Sequence, residues 1–385
     1  MDEMAVAWLF WSALSLLVYT YFGYPCLLAL QRHQAHRWGD AADLPTVTLI
    51  VAAFNEELCI EQKVRNALEH DYPPERLEVL VVSDGSTDRT EAIVRSLEGN
   101  RVRLITQVQR RGKNAALNRG VAEAGGEIVV FTDANALLAP GAIRYLVAPF
   151  CDPTIGLVSG QGYYGEMGNG TTRVVSNAYV QYEAFIKRRE AALGFIAAAD
   201  GALYAMRRSL YHELPVTQVH DLFHPIQMVL AGYRSVFVPD AYTVEPPSPD
   251  ASSEYRRHIR IIAQGLLVFL RQAPVLMARG HVIACWMLIS HRFLRWISLA
   301  FLVLALVTNA MLAGQAPLYT FLFMAQLSFY ALALGGAFGE HWQLRFRVLA
   351  VPYYFCVVSL VGVGGFLSLL RGNRQATWAP TGEMQ

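Results

Sequence analysis

The stretch VVFTDANALL, residues 129–138, begins as an apolar run rich in β-branched residues and ends in a turn that carries Asp133 and Asn135. Such a run is typical of a strand buried on both faces of a parallel sheet. No cationic residue lies nearby in the sequence to pair with Asp133. The tip of this strand is therefore a candidate ligand site, and its chemistry depends on what else the fold brings to it.

Three further apolar runs alternate with helical stretches. Strands are predicted at residues 46–54, 77–84, 102–106 and 127–133, with helices between them at 57–70, 87–97 and 113–124. This alternation predicts an α/β domain with a mostly parallel sheet and helices on both faces. Ligands of such sheets bind beyond the carboxyl ends of the strands. The polar residues at that edge are Asn55, Glu56, Asp84, Asp88, Asp133 and Asn135.

The composition indicates a membrane protein, because 54% of the 385 residues are hydrophobic and only 16% are charged. Residues 4–30 carry no charge and exceed the roughly 20 residues that a membrane-spanning helix needs. A signal peptide is disfavoured, since no basic residue precedes this run and no small-residue cleavage site follows it. Residues 296–339 predict two crossings separated by a turn at 314–317, and residues 348–370 predict another.

These patterns divide the chain into five parts. The soluble part has the size of one domain, and the segment after it is basic and amphipathic, which predicts helices along the membrane surface. The parts are an N-terminal transmembrane helix (1–31), an α/β domain (45–250), the interface helices (251–293), about three C-terminal transmembrane helices (294–371) and a tail (372–385).

Basic residues predict the orientation. Arg32 and Arg37 follow the first crossing, and the start of the chain is acidic, which places the α/β domain in the cytoplasm. Arg345 agrees with this orientation. Arg371 and Arg374 would lie outside if the last segment spans, so the side of the C-terminus stays open.

Several other protein classes are disfavoured. The five cysteines form no C-x-x-C pair, and the net charge of +1 argues against nucleic acid as a partner. DGSTD at 84–88 lacks the glycine and the acid that a calcium loop needs at positions six and twelve. RRGKN at 110–114 lacks the glycine spacing of a phosphate-binding loop, and no G-x-G-x-x-G follows the first strand.

Six motifs follow one another along the chain: AAFNEE (52–57), VVSDGSTD (81–88), RGKNAALN (111–118), FTDAN (131–135), HDLFHP (220–225) and RRHIRI (256–261). In order and spacing they resemble the membrane-bound family-two glycosyltransferases, which include the synthases of cellulose, chitin, hyaluronan and poly-N-acetylglucosamine. The resemblance implies a GT-A fold with a Rossmann-like cytosolic domain. It also implies inverting transfer of a sugar from a nucleotide sugar, UDP-linked, to a membrane-associated acceptor in polysaccharide or glycolipid synthesis.

The resemblance assigns the nucleoside to Asn55, Glu57 and Asp84. Carboxylates suit this role because they accept hydrogen bonds from ring N–H groups and ribose hydroxyls. Lys113 is placed near the diphosphate or the base edge, with a solvated lysine at the start of a helix as the alternative reading.

Two arginines match the family's Q-x-x-R-W motif, with Arg257 at the Gln position and Arg260 at the Arg position. Helical spacing puts them on one face, where they would clamp the diphosphate. The alternative is contact with anionic lipid head groups. Ile261 stands where processive synthases have a Trp that packs on the sugar chain, which weakens the case for a long polymer.

The FTDAN motif occupies the place of the family's D-x-D motif, which binds Mg²⁺ or Mn²⁺ against the diphosphate. Asp133 and Asn135 are therefore the implied metal ligands, and both offer hard oxygen atoms. Asn135 replaces the usual second acid, so we expect weaker metal binding, with much of the affinity supplied by the diphosphate.

Asp221 stands where the family has its general base, which takes the proton from the acceptor hydroxyl. His220 replaces the acid that usually precedes this base. His220 and His224 are four residues apart and offer an alternative zinc-site reading, but no third zinc ligand lies nearby in the sequence.

The acceptor site is implied at the loop of Asp200 and Gly201. Tyr182, Glu183 and Glu190 lie on a predicted helix nearby. The alternative reading of these residues is a turn and a solvated helix face.

The implied partners are a nucleotide-sugar donor, a lipid-linked or polysaccharide acceptor, the lipid bilayer and polysaccharide export proteins, with no nucleic acid. We expect a multi-pass protein of the bacterial inner membrane. Asn135 and Ile261 motivate a rival hypothesis, a membrane-anchored sugar-nucleotide sensor or assembly subunit without turnover. The sugar, the acceptor, processivity and the oligomeric state stay open.

Overall fold

The structure, a computed structural model, describes residues 2–31, 38, 44–165, 171–246, 251–341 and 347–371. Its strands are β1 (Val47–Ala53), β2 (Leu77–Ser83), β3 (Val102–Thr106), β4 (Ile128–Asp133), β5 (Leu137–Leu138), β6 (Ile155–Tyr164), β7 (Leu203–Arg207) and β8 (Arg234–Glu245). They form one sheet in the order β3-β2-β1-β4-β7-β6-β8-β5.

The helices fall into an N-terminal pair, a set that covers the sheet and a C-terminal apolar set. They are α1 (Glu3–Val18), α2 (Tyr24–Ala29), α3 (Ile60–Leu68), α4 (Thr90–Ser96), α5 (Lys113–Glu123), α6 (Ala142–Val147), α7 (Thr171–Ala192), α8 (His220–Leu230), α9 (Ala251–Ala278), α10 (Val282–Leu288), α11 (Leu294–Trp296), α12 (Ser298–Leu312), α13 (Pro317–His341) and α14 (Arg347–Leu370). Short π-helical turns join α1 to α2 and α10 to α11.

The first half of the sheet is parallel, as the sequence predicts. Strand β1 pairs in parallel with β2 and β4, and β2 pairs in parallel with β3. Strand β7 runs antiparallel to β4 and β6, while β8 is parallel to β6. The α/β class, the four predicted strands and the helices between them are confirmed, with ends that shift by less than one helical turn.

Helices cover both faces of the sheet, so every residue of β1 is buried. On one face, Leu49 and Val51 belong to a core that includes Val64 of α3. On the other face, Ile50 packs beneath α5, so closely that a Cβ atom at Gly120 would lie 2.7 Å from Cγ2 of Ile50. Burial on both faces explains why these strands read as continuous apolar runs.

Four helices in the described part of the chain are long and apolar enough to cross a membrane: Glu3–Ala29, Tyr255–Ala278, Pro317–Gly339 and Val348–Leu370. The segments Val282–Trp296 and Ser298–Leu312 pass the same test only as a pair bent by 61°, which is a broken span or a re-entrant loop.

The predicted C-terminal helices are present as α12, α13 and α14, with the predicted turn between α12 and α13. Helix α9 qualifies as a span by length and composition, whereas the sequence predicts a helix along the membrane surface. Its placement and the five-part division stay predictions. The predicted orientation in the membrane depends mainly on Arg32, Arg37, Arg345 and Arg374, which lie outside the described residues. The tail at 372–385 lies outside them as well.

A buried cluster of charges joins the soluble domain to the apolar helices. The Nδ1 atom of His291 lies 2.8 Å from Oε1 of Glu190, and its Nε2 atom lies 3.0 Å from Oε2 of Glu183. An ionised carboxylate only accepts hydrogen bonds, so each ring nitrogen of His291 is placed to donate to one of the two glutamates. Arg295 pairs with Glu183, and the hydroxyl of Tyr24 donates to Glu190 over 2.5 Å.

Both glutamates are buried, which makes the solvated-face reading of these two residues wrong. Burial acts to raise the pKa of Glu183, but Arg295 and His291 hold it well below its ordinary value. The pKa of Glu190 is lowered as well, because His291 and the Tyr24 hydroxyl outweigh the effect of burial. The two carboxylates are therefore ionised and depend on their cationic partners.

We predict that His291→Leu destabilises the protein by about 3–5 kcal/mol, the usual cost of removing one partner from a buried ion pair. Unfolding of the detergent-solubilised protein measures this loss, with the exposed His212→Leu as the control. The loss of unfolding free energy should become smaller as the pH falls, because protonated glutamates carry no charge for a cation to balance. A deficit that matches the control at neutral pH contradicts the ionic role of His291.

Candidate active site

The strand register brings the predicted residues to one edge of the sheet. Ala52 of β1 lies beside Asp133 of β4, and Ala53 lies beside Ser83 of β2. The chain after each of these strands therefore begins at the same edge. Asn55, Asp84 and Asp133 come from three separate segments and meet there, as the parallel sheet predicts.

Asp84 fixes the turn that precedes Lys113. Its two carboxylate oxygens accept the backbone N–H groups of Arg111 and Gly112 over 2.7 and 2.8 Å. Gly112 has a φ angle of +96°, which favours glycine. Burial raises the pKa of Asp84, and these two hydrogen bonds act in the opposite direction. Its contact with a nucleoside stays a prediction.

Asn55 and Glu57 tie the end of β1 to the DGSTD loop. Asn55 has a φ angle of +53°, and its side-chain oxygen accepts the N–H of Thr87 over 2.8 Å. Glu57 accepts both the backbone N–H and the Nε–H of Arg89 over 3.1 Å. Asp88 accepts the N–H of Glu57 over 3.0 Å and so helps to fix this turn. Binding of a nucleoside by Asn55 and Glu57 stays a prediction.

Asp133 has a cationic partner that is distant in sequence. The ammonium of Lys113, at the first residue of α5, forms an ion pair with its carboxylate. About a quarter of each side chain is exposed, 25% and 23%. The solvated-lysine reading of Lys113 is therefore wrong. The pair puts one positive and one negative group side by side at the carboxyl edge of the parallel strands.

The residues at this turn fit a divalent cation that is shared with an anionic ligand. Asp133 offers a carboxylate and the half-buried Asn135 offers an amide oxygen, which are hard donors of the kind that Mg²⁺ and Mn²⁺ prefer. The described residues contain no group of three or more His, Cys, Asp or Glu side chains arranged to hold a metal. The other ligands must therefore come from the bound substrate, from water or from residues outside such a group.

Sequence reasoning missed Lys63, a fully buried lysine beneath the same turn. Its ammonium donates to Oγ1 of Thr132 over 2.8 Å and to the carbonyl of Ala136. It therefore clamps the chain on both sides of Asp133 and Asn135. Burial lowers the pKa of Lys63 to about 7, against the opposing effect of Asp133. A single lysine in an amphipathic helix gives no sequence signal for this role.

Asp221, the predicted base, lies in the first turn of α8. Its Oδ1 atom is buried without a hydrogen-bond partner in the described part of the chain. Burial raises the pKa of Asp221, while the charges of Arg292 and Lys113 oppose this rise. The charges of Lys113 and Asp200 also act on Asp221, so these groups lie within electrostatic range of one another.

The predicted acceptor loop lies directly beside Asp221. A Cβ atom at Gly201 would lie 3.4 Å from Oδ2 of Asp221. The Asp200 carboxylate accepts the N–H groups of Gly162 and Ala202 over 2.8 and 3.1 Å, and Nζ of Lys187 lies 3.9 Å away. Asp200 is therefore held in place by the sheet. Its contact with an acceptor stays a prediction.

The two predicted arginines reach the same cleft from α9. Arg257 acts electrostatically on Glu245, and Arg260 lies within electrostatic range of Asp133. Both side chains are half-buried. The structure therefore brings them to the edge that carries Asp133, which favours the diphosphate reading over lipid head groups. Their role stays a prediction.

The zinc reading of His220 and His224 is wrong. Their Nδ1 atoms lie 3.2 and 2.9 Å from the same hydroxyl oxygen, that of Tyr204. Both rings are buried, and burial lowers the pKa of His224 to about 3 and that of His220 well below its ordinary value. They are neutral aromatic packing groups beneath Asp221.

The soluble part has the mostly parallel sheet and the acid-bearing turn after β4 that the motifs predict. Residues 48–214 match the family model described as glycosyl transferase family 2. The family resemblance drawn from the six motifs is thereby confirmed.

Two curated relatives are similar over the soluble domain. Poly-beta-1,6-N-acetyl-D-glucosamine synthase of Staphylococcus aureus (strain COL) is 25% identical over 203 residues, which cover 51% of this chain and 49% of that protein. The probable glycosyltransferase YdaM of Bacillus subtilis (strain 168) is 29% identical over 223 residues, which cover 53% and 51%. The chain therefore spans about half the length of the curated relatives it matches.

A solved structure shares the fold along almost the whole chain. The mannosyltransferase PcManGT from Pyrobaculum calidifontis, in complex with GDP-Man and Mn²⁺, matches with a TM-score of 0.70 and 24% identity. The match covers 94% of this chain and 99% of that one. The GT-A fold predicted from the motifs is thus confirmed.

We predict that the buried Lys63 makes stability depend on pH. The unfolded chain binds a proton at Lys63 up to about pH 10.4, whereas the folded protein releases it near pH 7, so folding is favoured as the pH rises between these values. Relative to Lys63→Met, the wild-type protein should gain up to about 1.4 kcal/mol per pH unit. The exposed Arg65→Met in the same helix is the control. A pH-independent difference for Lys63→Met contradicts the assignment.

Proposed function

We propose that this chain is a membrane-bound inverting glycosyltransferase that transfers a sugar from a UDP-sugar to a membrane-associated acceptor in polysaccharide or glycolipid synthesis. The observation that carries this proposal is the buried carboxylate oxygen of Asp221, which has no hydrogen-bond partner in the described part of the chain and lies within electrostatic range of Lys113, the partner of Asp133. The family-2 domain and the relatives' names support the reaction class.

In this mechanism Asp221 is the general base. It accepts the proton of the acceptor hydroxyl as that oxygen attacks the anomeric carbon, on the face opposite the nucleotide. The new C–O bond forms while the bond from the sugar to the diphosphate breaks. The raised pKa of Asp221, which burial causes, brings it closer to neutral pH and makes it a stronger proton acceptor. The absence of a side chain at Gly201 leaves the space beside Oδ2 open for the acceptor.

Asn55, Glu57 and Asp84 hold the nucleoside in this proposal, directly or by fixing the loops that surround it. Lys113 and the two arginines of α9, Arg257 and Arg260, contribute positive charge beside the diphosphate, which carries negative charge as the sugar leaves. Lys113 exchanges its bond with Asp133 for one with the donor.

Asp133 and Asn135 are the residues that would hold Mg²⁺ or Mn²⁺. When bound, the cation neutralises charge on the leaving diphosphate. The PcManGT structure, a complex with Mn²⁺ and GDP-Man, supports a metal and a nucleotide sugar in this fold.

In this proposal the apolar helices hold the enzyme in a bacterial inner membrane, with the catalytic domain in the cytoplasm beside the bilayer. A lipid-linked or polysaccharide acceptor then reaches Asp221 along the membrane surface, and export proteins receive a polymeric product. Ile261, in place of a chain-holding Trp, favours short products, whereas the name of the Staphylococcus aureus relative describes a polymer synthase.

The rival reading, a sensor that binds a sugar nucleotide without turnover, is not favoured. The homologues are named as synthases and glycosyltransferases. A sensor also has no use for an aspartate with a buried oxygen that lacks a partner among the described residues, next to a glycine that leaves space beside it.

We predict that Asp221→Asn keeps UDP binding and lowers the transfer rate by about 10²- to 10⁴-fold, because the amide accepts no proton. Product formation from labelled UDP-sugars in purified protein, together with calorimetry of UDP binding, measures both quantities. The exposed Asp240→Asn in β8 is the matched control and should leave transfer unchanged. Transfer by Asp221→Asn at the wild-type rate rules out Asp221 as the base.

We predict that Asp133→Ala abolishes the strengthening of UDP binding by Mn²⁺. It should not weaken metal-free UDP binding, because removal of Asp133 releases Lys113 for the diphosphate. Titrations with UDP in the presence and absence of Mn²⁺ test both statements. A metal effect equal to that of the wild-type protein excludes Asp133 as a ligand.

A further inference from the structure

Glu245, the last residue of β8, is a charged side chain of the cleft that no motif of the sequence indicates. Strand β8 pairs antiparallel with β5, with Val244 beside Leu137. One step further along this register, Glu245 lies opposite Ala136, next to Asn135. The backbone places a second acidic residue beside the turn that carries the predicted metal ligands.

The side chain of Glu245 is enclosed but not satisfied. The residue is 2% exposed, and its Oε1 atom has no hydrogen-bond partner among the described residues. Burial raises its pKa to about 7, and Asp133 acts in the same direction, while Arg257 opposes it. The charges of Asp133, Asp200 and Lys113 all act on this one carboxyl, so Glu245 lies within electrostatic range of the predicted site residues.

Two carboxylates that face each other inside a protein repel, and a divalent cation between them removes the repulsion. Asp133 is the only acid in the turn after β4, residues 133–135, because Asn135 carries no charge. A cation held there by one carboxylate and one amide has less negative charge around it than a pair of acids provides. The carboxylate of Glu245, whose Oε1 atom has no partner among the described residues, can supply this negative charge.

We infer that Glu245 is the second anionic ligand of the divalent cation at the donor site, in place of the acid that Asn135 lacks. This inference rests on the proposed function, which requires a cation at Asp133. It assigns three protein oxygen donors from two segments that are far apart in sequence: Asp133 and Asn135 after β4, and Glu245 at the end of β8.

The test measures Mn²⁺ binding to the purified full chain with saturating UDP, by electron paramagnetic resonance of free Mn²⁺, without any turnover. Glu245→Gln keeps the shape of the side chain and removes its charge. We expect it to raise the apparent Kd for Mn²⁺ by about tenfold or more, while the Kd for metal-free UDP changes little. Glu127→Gln, an exposed glutamate at the opposite edge of the sheet, is the matched control.

A rescue variant separates a ligand from a merely structural residue. Asn135→Asp restores a second acid at the turn, so the double variant Glu245→Gln, Asn135→Asp should regain most of the lost Mn²⁺ affinity. An affinity of Glu245→Gln within twofold of the wild-type value overturns the inference, as does the absence of rescue.

Asp133→Ala in the same assay distinguishes this inference from the proposed function. If Asp133→Ala loses Mn²⁺ binding and Glu245→Gln keeps it, only the role of Glu245 fails. If the wild-type protein with UDP binds no Mn²⁺, the metal-dependent reaction and the inference fail together.

Discussion

The ion pair between Lys113 and Asp133 joins the two segments on which the rest of the site depends. Lys113 begins α5, and the preceding turn is held by the buried carboxylate of Asp84. Asp133 ends β4, and the chain on either side of it is held by the buried ammonium of Lys63. Each partner is thus fixed by a buried charge of opposite sign to its own, so neither side chain needs a substrate to reach its place.

Several acidic groups lie near this pair, although carboxylates that are close together repel one another. Asp221 and Glu245 each have a buried oxygen without a partner in the described ranges, and burial raises the pKa of both. Unsatisfied buried polar atoms are costly, so their presence at a cleft indicates that a ligand completes them. The two proposed roles account for these oxygens: Asp221 accepts a proton from the acceptor, and Glu245 binds a cation.

The position of the cleft depends on a second buried cluster. His291 bridges Glu183 and Glu190 of α7, and Tyr24 of the N-terminal helix donates to Glu190. Three parts of the chain, two apolar and one from the catalytic domain, therefore meet in one set of ionic hydrogen bonds. Because such bonds are directional and their ions are isolated from water, the domain is held in one orientation relative to the apolar helices.

The local sequence determined the α/β class and the four parallel strands, because a strand buried on both faces has to be apolar along its whole length. It also determined the apolar helices, and the order of the motifs predicts that Asp84, Asp133 and Asp221 belong to one site. Lys63, Glu245 and His291 lie in ordinary stretches, so no local pattern identifies their contacts.

Only the tertiary structure decided which charges meet. The pairing of β8 with β5 brings the end of β8, with Glu245, beside the turn after β4, and the packing of α5 brings Lys113 to Asp133. Likewise the contact of α7 with the apolar helices buries Glu183, which the sequence left as a candidate surface residue, and makes it a hydrogen-bond partner of His291. Electrostatic interactions depend on distance through space and on burial, and neither quantity is written in the spacing of residues along a chain.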